Sequence, residues 1–226
     1  ENSLYKVVQS IDWTDYISVH QSFVIDATIF SERFNHSQFV ALKSKDAIVD
    51  QFKEKYNARP NIDKEHPDLK INIHIQQDLC TVSLDTSGAS LHHRGYRTAT
   101  NIAPINEVLA AGILLLSGWK GQSNFLDPMC GSGTFLVEAA MIACNIPPNI
   151  NRKEFAFEKW RDWDADLFDK VEESLLKKIV DFPYDIVGYD KAPSAVAKAK
   201  DNVRNANLDD YISVQQQNFF ETEKQG

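Results

Sequence analysis

The stretch that most constrains the fold runs from Phe125 to Phe135 and reads FLDPMCGSGTF. It begins with a strand-like triplet, passes a proline and two glycines, and enters an apolar helical pattern. In open α/β sheets, ligands lie at the carboxyl ends of the strands. A glycine-rich turn there lets a ligand approach bare backbone N–H groups. The stretch therefore predicts a ligand-binding turn between a parallel strand and a helix.

The turn matches neither of two common nucleotide fingerprints. A GxGxxG pattern starting at Gly131 would need glycine where the chain has Leu136, and no GK[ST] of a phosphate loop follows. Instead, Asp127 precedes the glycines and would face the ammonium of an amino-acid moiety. Asp190 closes the apolar strand YDIVGYD, where a carboxylate can accept both ribose hydroxyls, although it could also cap the helix that opens at Pro193. The two acids favour S-adenosylmethionine over a nucleotide.

Residues before position 90 predict a small α+β unit. FVIDATI at 23–29 alternates as a half-buried strand, and INIHI and CTVSL form a hairpin around Gln77 and Asp78. Between them, Ser37–Tyr56 has helical spacing. The predicted apolar stripe of that helix contains Phe39, Leu42, Val49 and Phe52, joined by Ala47 and Ile48.

After Arg97 the pattern changes to strands separated by helices, which is typical of parallel βαβ units. Pro104 is expected to open the first of these helices, which Gly118 ends. Its predicted apolar stripe contains Ile105, Val108, Leu109 and Leu116. The sequence thus predicts an α/β sheet after the α+β unit.

Composition excludes several classes of protein. A net charge of -8 argues against a wholly basic nucleic-acid binder, and no apolar run reaches the roughly 18 residues that span a bilayer. The three cysteines lie far apart without CxxC spacing, which argues against a zinc site and a disulfide framework. We expect a cytoplasmic protein without metal or membrane partners. Because it begins at Glu1 and stops at Gly226 just after a predicted strand, we also expect a piece of a longer chain.

Several motifs together resemble one family. DPMCGSGTF resembles motif I of class I methyltransferases, in the DPxCGSGT form of enzymes that methylate exocyclic amino groups of bases. LHHRGYR, APINEVLAAGILLLSGW and NIPPNINRKEFAFEKW resemble THUMP-domain RNA methyltransferases of the large-subunit ribosomal RNA guanine-N2 type, and SERFNHSQFVALKSKDAIVDQF resembles the THUMP domain. The resemblance implies a small α+β THUMP domain at 1–95. It also implies the N-terminal part of a Rossmann-like class I methyltransferase domain at 96–226.

The resemblance also implies the residues that contact S-adenosylmethionine. They are Ala103, Pro104, Asp127, Pro128, Cys130, Gly131, Ser132, Gly133, Thr134, Asp190 and Asn218. Asn218 stands where the family usually has an Asp that reads the adenine amino group, and its amide oxygen can accept the same hydrogen bond. Cys130 has no identifiable base partner, so we interpret it as a small residue suited to the turn rather than a nucleophile.

One departure concerns catalysis. Amino-group methyltransferases carry an N/D-P-P-Y tetrapeptide after the fourth strand, where it orients the target nitrogen, and nothing after Asn218 supplies it. We therefore expect no catalytic residue in this chain. The implied reaction of the family is attack of guanine N2 in large-subunit ribosomal RNA on the sulfonium methyl, which yields S-adenosylhomocysteine. Transfer RNA guanine N2, DNA adenine N6, and a non-catalytic RNA- or cofactor-binding module remain alternatives.

Basic and aromatic residues suggest an RNA partner, which the resemblance implies is ribosomal RNA, although solvated helix faces often have the same composition. The predicted RNA contacts are Arg33, Lys43, Lys45, Arg59, Arg94 and Arg97. Arg94 and Arg97 lie in HHRGYR, which contains no acid. For Trp160 and Trp163, base stacking and packing of the insert against the core are equally compatible with the sequence.

Overall fold

The computed structural model describes residues 2–97 and 104–221, which divide into two compact units. The first unit contains the described residues up to Ala89 together with Glu154–Ala165. The second unit contains Ser90–Lys153 and the described residues from Asp166 onward. Among the described helices, none has both the length and the apolar character that crossing a membrane requires.

The first unit is the predicted strand, helix and hairpin, preceded by one more helix. Its helices are α1 (Asn2–Gln9) and α2 (Ser37–Tyr56), and its strands are β1 (Ser22–Phe30), β2 (Asn61–Ile62), β3 (Leu69–Gln76) and β4 (Leu79–Leu84). The sheet order is β2-β1-β3-β4, with β1 parallel to β2 and β3, and β3 antiparallel to β4. Residues of α1, α2, β1 and β3 form its buried core.

Helix α2 has the predicted bounds but a different buried face. Phe39 and Leu42 are exposed, so their place in the predicted stripe was wrong. The buried face follows the 3.6-residue period through Val40, Ser44, Ala47, Ile48, Gln51 and Phe52. Two of its members are polar, which a search for apolar residues cannot include. The side chain of Gln51 is satisfied there, because it accepts from the Trp13 N–H at 2.8 Å and donates to two backbone carbonyls.

The segment 154–165 leaves the second unit and joins the first. Its 3₁₀ helix, Ala156–Lys159, is followed by Trp160, which packs against the core of the first unit. The Phe157 N–H donates to the Thr86 carbonyl at 3.3 Å, and Arg161 donates to the Thr14 carbonyl. Trp160 is therefore a packing residue. The division of the chain at residue 95, which was predicted from the sequence, places residues 154–165 in the second domain, whereas the structure places them in the first unit.

The second unit has the expected Rossmann-like arrangement. Its strands are β5 (Phe125–Asp127), β6 (Ile186–Asp190) and β7 (Ile212–Gln216), and its helices are α3 (Glu107–Leu116), α4 (Thr134–Ala143), α5 (Ala165–Leu176) and α6 (Pro193–Asn205). The strands are parallel in the order β5-β6-β7. Leu136, Ile186 and Ala199 are among the buried residues between sheet and helices. The carboxyl ends of all three strands lie at one edge of the sheet.

Helix α3 differs from its predicted form. It begins at Glu107 rather than at Pro104, because the Asn106 side chain caps it by accepting from two backbone N–H groups. Its buried residues are Glu107, Ala110 and Leu114, whereas Val108, Leu109 and Leu116 are exposed. The predicted stripe was wrong because the buried face starts with a carboxylate, Glu107, which is paired with Arg97 from outside the helix.

Gly95 is required by both backbone conformation and space. Its φ is +95°, in the region that favours glycine. A Cβ at this position would lie 2.7 Å from the carbonyl oxygen of Asn151. The segment 94–97 consequently passes very close to the backbone of residue 151.

We predict that Gly95→Ala lowers the free energy of unfolding by about 1–3 kcal/mol, because alanine meets both the unfavourable φ and the Asn151 carbonyl. Gly112→Ala is the matched control, since Gly112 lies within α3 and a Cβ added there would meet no atom within 4 Å. The control is expected to raise stability by up to about 1 kcal/mol through helix propensity. Urea unfolding of both variants measures the difference, and equal stabilities would contradict the assignment.

Candidate functional site

The turn after β5 is held against the end of β6. Its Cys130 N–H donates to the Tyr189 carbonyl at 2.8 Å, and the Gly131 N–H donates to Asp190 Oδ2 at 3.0 Å. Gly133 has φ +81° and occupies the N-cap position of α4. A Cβ on Gly133 would lie 3.2 Å from that of Ala199 in α6, so glycine permits both the turn and close helix packing.

Asp190 is the link between the two strand ends. Besides the Gly131 N–H, its carboxylate accepts from the Ala192 N–H at 2.9 Å through Oδ1. The N-cap residue of α6 is Ala192, which rules out the alternative interpretation of Asp190 as the N-cap. A carboxylate offers about four acceptor positions, and the two backbone N–H groups use one on each oxygen. Asp190 can therefore accept further hydrogen bonds from a ligand.

Asp127 ends β5 beside β6 and accepts from the Met129 N–H at 3.1 Å. Burial raises the pKa of Asp127 above its usual range, the Met129 hydrogen bond opposes this shift, and the nearby charge of Asp190 adds to it. Two acids at neighbouring strand ends thus repel each other in a half-buried place. A cationic group placed there would relieve that repulsion.

Cys130 and Ser132 have structural surroundings. Burial, with the charges of Asp127 and Asp190, raises the pKa of the Cys130 thiol to about 12, so the thiol stays protonated at neutral pH. The buried Ser132 contributes its carbonyl, which accepts from the Asn202 side chain at 2.9 Å. Pro128 is half-buried between Asp127 and the rest of the turn. These residues shape the turn, and their contact with a cofactor stays a prediction.

Thr134 connects the turn to the segment before α3. Its Oγ1 accepts from Arg97 Nη2 at 2.7 Å, and the same nitrogen donates to the Ile105 carbonyl at 3.1 Å. Pro104 is exposed at the start of that segment. Ala103 lies outside the described residues. The structure thus joins two of the segments that the resemblance assigns to the cofactor.

Asn218 follows β7, at the same edge of the sheet as Asp127 and Asp190. Its Nδ2 donates to Glu221 at 2.9 Å, and its Oδ1 accepts from the Phe220 N–H at 3.3 Å. The amide oxygen retains a second acceptor position. Its predicted contact with an adenine amino group therefore remains compatible with these bonds.

Arg94 and Arg97 are engaged inside the second unit. The Arg94 side chain, 8% exposed, pairs with Glu138 at 3.3 Å, and the Arg97 side chain, 13% exposed, pairs with Glu107 at 3.2 Å. Burial raises the pKa of Glu138, and the positive charge of Arg94 opposes this rise. Both guanidinium groups are thus occupied by carboxylates and largely shielded from solvent. We therefore do not retain these two residues as RNA contacts.

The sequence reasoning missed Glu107 and Glu138, although a signal was available. Each is a single acid within an otherwise apolar helical stretch, NEVLAAGILLL for Glu107 and TFLVEAAMIA for Glu138. An acidic residue is almost never fully buried unless a cationic side chain pairs with it. The segment HHRGYR, with two arginines and no acid, supplies those cations.

The four other predicted RNA contacts lie in the first unit, and two of them project from different sides of one helix. Lys43 and Lys45 are two positions apart on α2, hence roughly 200° apart around the helix. Lys43 Nζ lies 5.0 Å from the centre of the Tyr5 ring, and Lys45 pairs with Asp46. The remaining two are Arg33, which pairs with Asp78, and the exposed Arg59. Their contact with RNA stays a prediction.

Across residues 2–97 and 104–221, no three side chains from His, Cys, Asp and Glu come together as a metal site requires. The thiols of Cys80, Cys130 and Cys144 are free.

Two family models match the chain. Residues 94–225 match the methyltransferase domain described as RMKL-like, and residues 1–85 match the THUMP domain. Among curated relatives, the ribosomal RNA large subunit methyltransferase K/L of Buchnera aphidicola subsp. Schizaphis graminum is 42% identical over 94% of this chain. The chain spans 31% of the length of that relative.

Two solved structures share the fold over essentially the whole chain. SMU.472, which is provisionally classed as a methyltransferase and was crystallised with SAH, is 33% identical with a TM-score of 0.87 over 100% of this chain and 60% of its own. A protein from Listeria monocytogenes str. 4b F2365, provisionally classed as an N6-adenine-specific DNA methylase, is 31% identical with a TM-score of 0.88 over 99% and 59%. The predicted family and fold class are confirmed. The chain belongs to the RMKL-like methyltransferase family, in the arrangement with a THUMP domain before the methyltransferase domain.

Proposed function

We propose that this chain is the cofactor-binding part of an S-adenosylmethionine-dependent RNA methyltransferase. The enzyme modifies an exocyclic amino group of a base, namely guanine N2 in large-subunit ribosomal RNA. The observation that carries the proposal is the pair of carboxylates, Asp127 and Asp190, on either side of the glycine turn at the carboxyl ends of β5 and β6. This arrangement matches the location and the chemistry of a methyl-donor site.

The residues at the strand ends fit S-adenosylmethionine. Asp190 has acceptor positions left for two ribose hydroxyls after binding the Gly131 and Ala192 N–H groups. Asp127 lies in negative surroundings that raise its pKa, so the ammonium of the amino-acid part would stabilise its ionised form. Asn218 would accept from the adenine amino group at the end of β7.

When bound, the cofactor supplies an activated methyl group on a sulfonium, so the protein contributes mainly by positioning. Asp190 and the turn would fix the adenosine part, while Asp127 would orient the amino-acid part. The buried, protonated Cys130 supplies shape rather than a nucleophile. Orientation of the target amino group would come from an N/D-P-P-Y tetrapeptide, which this chain does not contain.

The substrate assignment is supported by the relatives. Several relatives, among them the Buchnera protein, are named as ribosomal RNA large subunit methyltransferases, and the THUMP domain favours RNA over DNA. DNA adenine N6 is the second candidate, because the Listeria structure is classed with DNA methylases. We also propose a cytoplasmic location, where ribosomal RNA is available.

We predict that Asp190→Ala weakens binding of S-adenosylhomocysteine to the 226-residue chain by roughly 1–3 kcal/mol, because charged hydrogen bonds to the ribose and to the Gly131 N–H are both lost. Asp201→Ala is the matched control, since Asp201 is an exposed acid that pairs with Arg204 on α6. Calorimetric titration measures both variants, with NAD as a control ligand. Wild-type affinity in a folded Asp190→Ala chain would contradict the ribose assignment.

We predict that affinity for S-adenosylhomocysteine weakens as the pH is lowered, with a midpoint above the ordinary carboxyl pKa of about 4. The pKa of Asp127 is raised in the free protein, and the ligand ammonium favours the ionised form, so binding below that pKa must displace a proton. Asp127→Asn should bind more weakly at neutral pH and remove this pH dependence. If Asp127→Asn kept the wild-type pH dependence of affinity, another group would be responsible and the prediction would be contradicted.

The reaction is tested with the full-length protein that carries this chain. After incubation with labelled S-adenosylmethionine and unmodified ribosomal RNA, nucleoside mass spectrometry should find N2-methylguanosine. The 226-residue chain alone should give no product, because it lacks the tetrapeptide. Methylation of DNA adenine instead would favour the second candidate, and no product on either substrate would contradict the proposal.

A further inference from the structure

The guanidinium of Arg97 contacts three residues in two parts of the second unit. Nη2 donates to Thr134 Oγ1 at 2.7 Å and to the Ile105 carbonyl at 3.1 Å, while Nε lies 3.2 Å from Glu107 Oε1. The Nε contact is an ion pair whose angle makes no hydrogen bond. With its side chain 13% exposed and that of Glu107 4% exposed, the group is well shielded from water. Its contacts are therefore stronger than those of a surface arginine.

These partners lie at the beginning of two helices. Thr134 is the first residue of α4 and directly follows Gly133, the last residue of the glycine turn. Glu107 is the first residue of α3, and Ile105 belongs to the segment that leads into it. Arg97 thus holds the exit of the turn at a fixed distance from the segment before α3.

The turn is consequently held from two sides. On the sheet side, Gly131 is bonded to Asp190, and on the helix side Thr134 is bonded to Arg97. Only Ser132 and Gly133 lie between these two anchored residues. A cofactor that contacts the turn and residue 104 would require both anchors to be in place.

We propose that Arg97 is a positioning residue of the cofactor site, which it shapes by joining the glycine turn to the segment before α3. The inference rests on the proposed function, because it takes the turn as the place where S-adenosylmethionine binds. Arg97 itself does not contact the cofactor in this proposal. It acts through Thr134 and the Ile105 carbonyl.

Arg94 offers a matched comparison within the same motif. It pairs with Glu138, one helical turn beyond Thr134 on α4, and donates to the Leu91 carbonyl at 3.1 Å. Like Arg97 it is an arginine largely shielded from solvent and paired with a buried glutamate. The described contacts of Arg94 include neither the glycine turn nor the segment before α3. Arg94 therefore serves as the comparison for an arginine with a purely structural role.

The test is calorimetric titration of the 226-residue chain with S-adenosylhomocysteine, comparing Arg97→Lys with Arg94→Lys. Lysine keeps the positive charge, but it lacks the planar guanidinium with which arginine contacts Thr134, Ile105 and Glu107 at the same time. We expect Arg97→Lys to weaken binding about 10-fold, the loss of one charged hydrogen bond. Arg94→Lys should lower the melting temperature while the folded protein binds with wild-type affinity.

Chemical rescue and a double-mutant cycle add readouts that a purely structural role would not move. In Arg97→Ala, millimolar guanidinium should restore binding, because the small cation can take the place of the side chain. Thr134→Val should weaken binding as Arg97→Lys does, and combining the two should cause no further loss. If Arg97→Lys does not fold, Thr134→Val and Glu107→Gln remove its partners one at a time, and each should weaken binding.

Equal loss of affinity in Arg97→Lys and Arg94→Lys would overturn the inference, as would wild-type affinity in a folded Arg97→Lys chain. Additive losses in the double mutant would do the same. Absence of binding by the folded wild-type chain would instead overturn the proposed function, and this inference with it. The two failures are therefore distinguished by the wild-type titration.

Discussion

The hydrogen bond from the Gly131 N–H to the Asp190 carboxylate is the contact on which the site depends. It joins the turn after β5 to the end of β6, and the backbone bond from Cys130 to Tyr189 supports it alongside. Asp127, at the end of the neighbouring strand β5, lies close enough to Asp190 for their charges to interact. A single carboxylate therefore fixes the turn and also offers acceptors at the strand ends.

A second constraint comes from two ion pairs that are largely shielded from solvent. Arg94 with Glu138 and Arg97 with Glu107 connect one short segment to α4 and α3. Removing one partner of such a pair leaves an uncompensated buried charge, which typically costs about 3–5 kcal/mol. The basic character of HHRGYR is thus accounted for by acids that are distant in sequence. An RNA-binding surface has to be sought among other residues.

Much of this architecture could be predicted from local patterns. The strand, turn and helix around Asp127 follow from glycine positions and apolar runs, and the β3–β4 hairpin follows from alternation around Gln77. The helix faces could not be predicted in the same way. Ser44 and Gln51 in α2, and Glu107 in α3, are buried because distant groups satisfy or surround them. The pattern of one segment contains no information about such partners.

The return of residues 154–165 to the first unit was unpredictable for the same reason. Trp160 could equally have faced solvent and a nucleic acid, and only the three-dimensional arrangement shows its packing against that core. Likewise, the positions of the strand ends were predictable, whereas the use of Arg97 as a link between two helix starts was not. Long-range contacts decide both cases.

The central claim is that the glycine turn and the end of β6 form a methyl-donor site. Hydrogen–deuterium exchange with and without S-adenosylhomocysteine tests it most directly, because it reports on the backbone amides of that site. The account predicts slower exchange in peptides covering 125–135 and 186–192, with no change in the β3–β4 hairpin and no effect of NAD. Unchanged exchange at the turn, or protection confined to other segments, would contradict it.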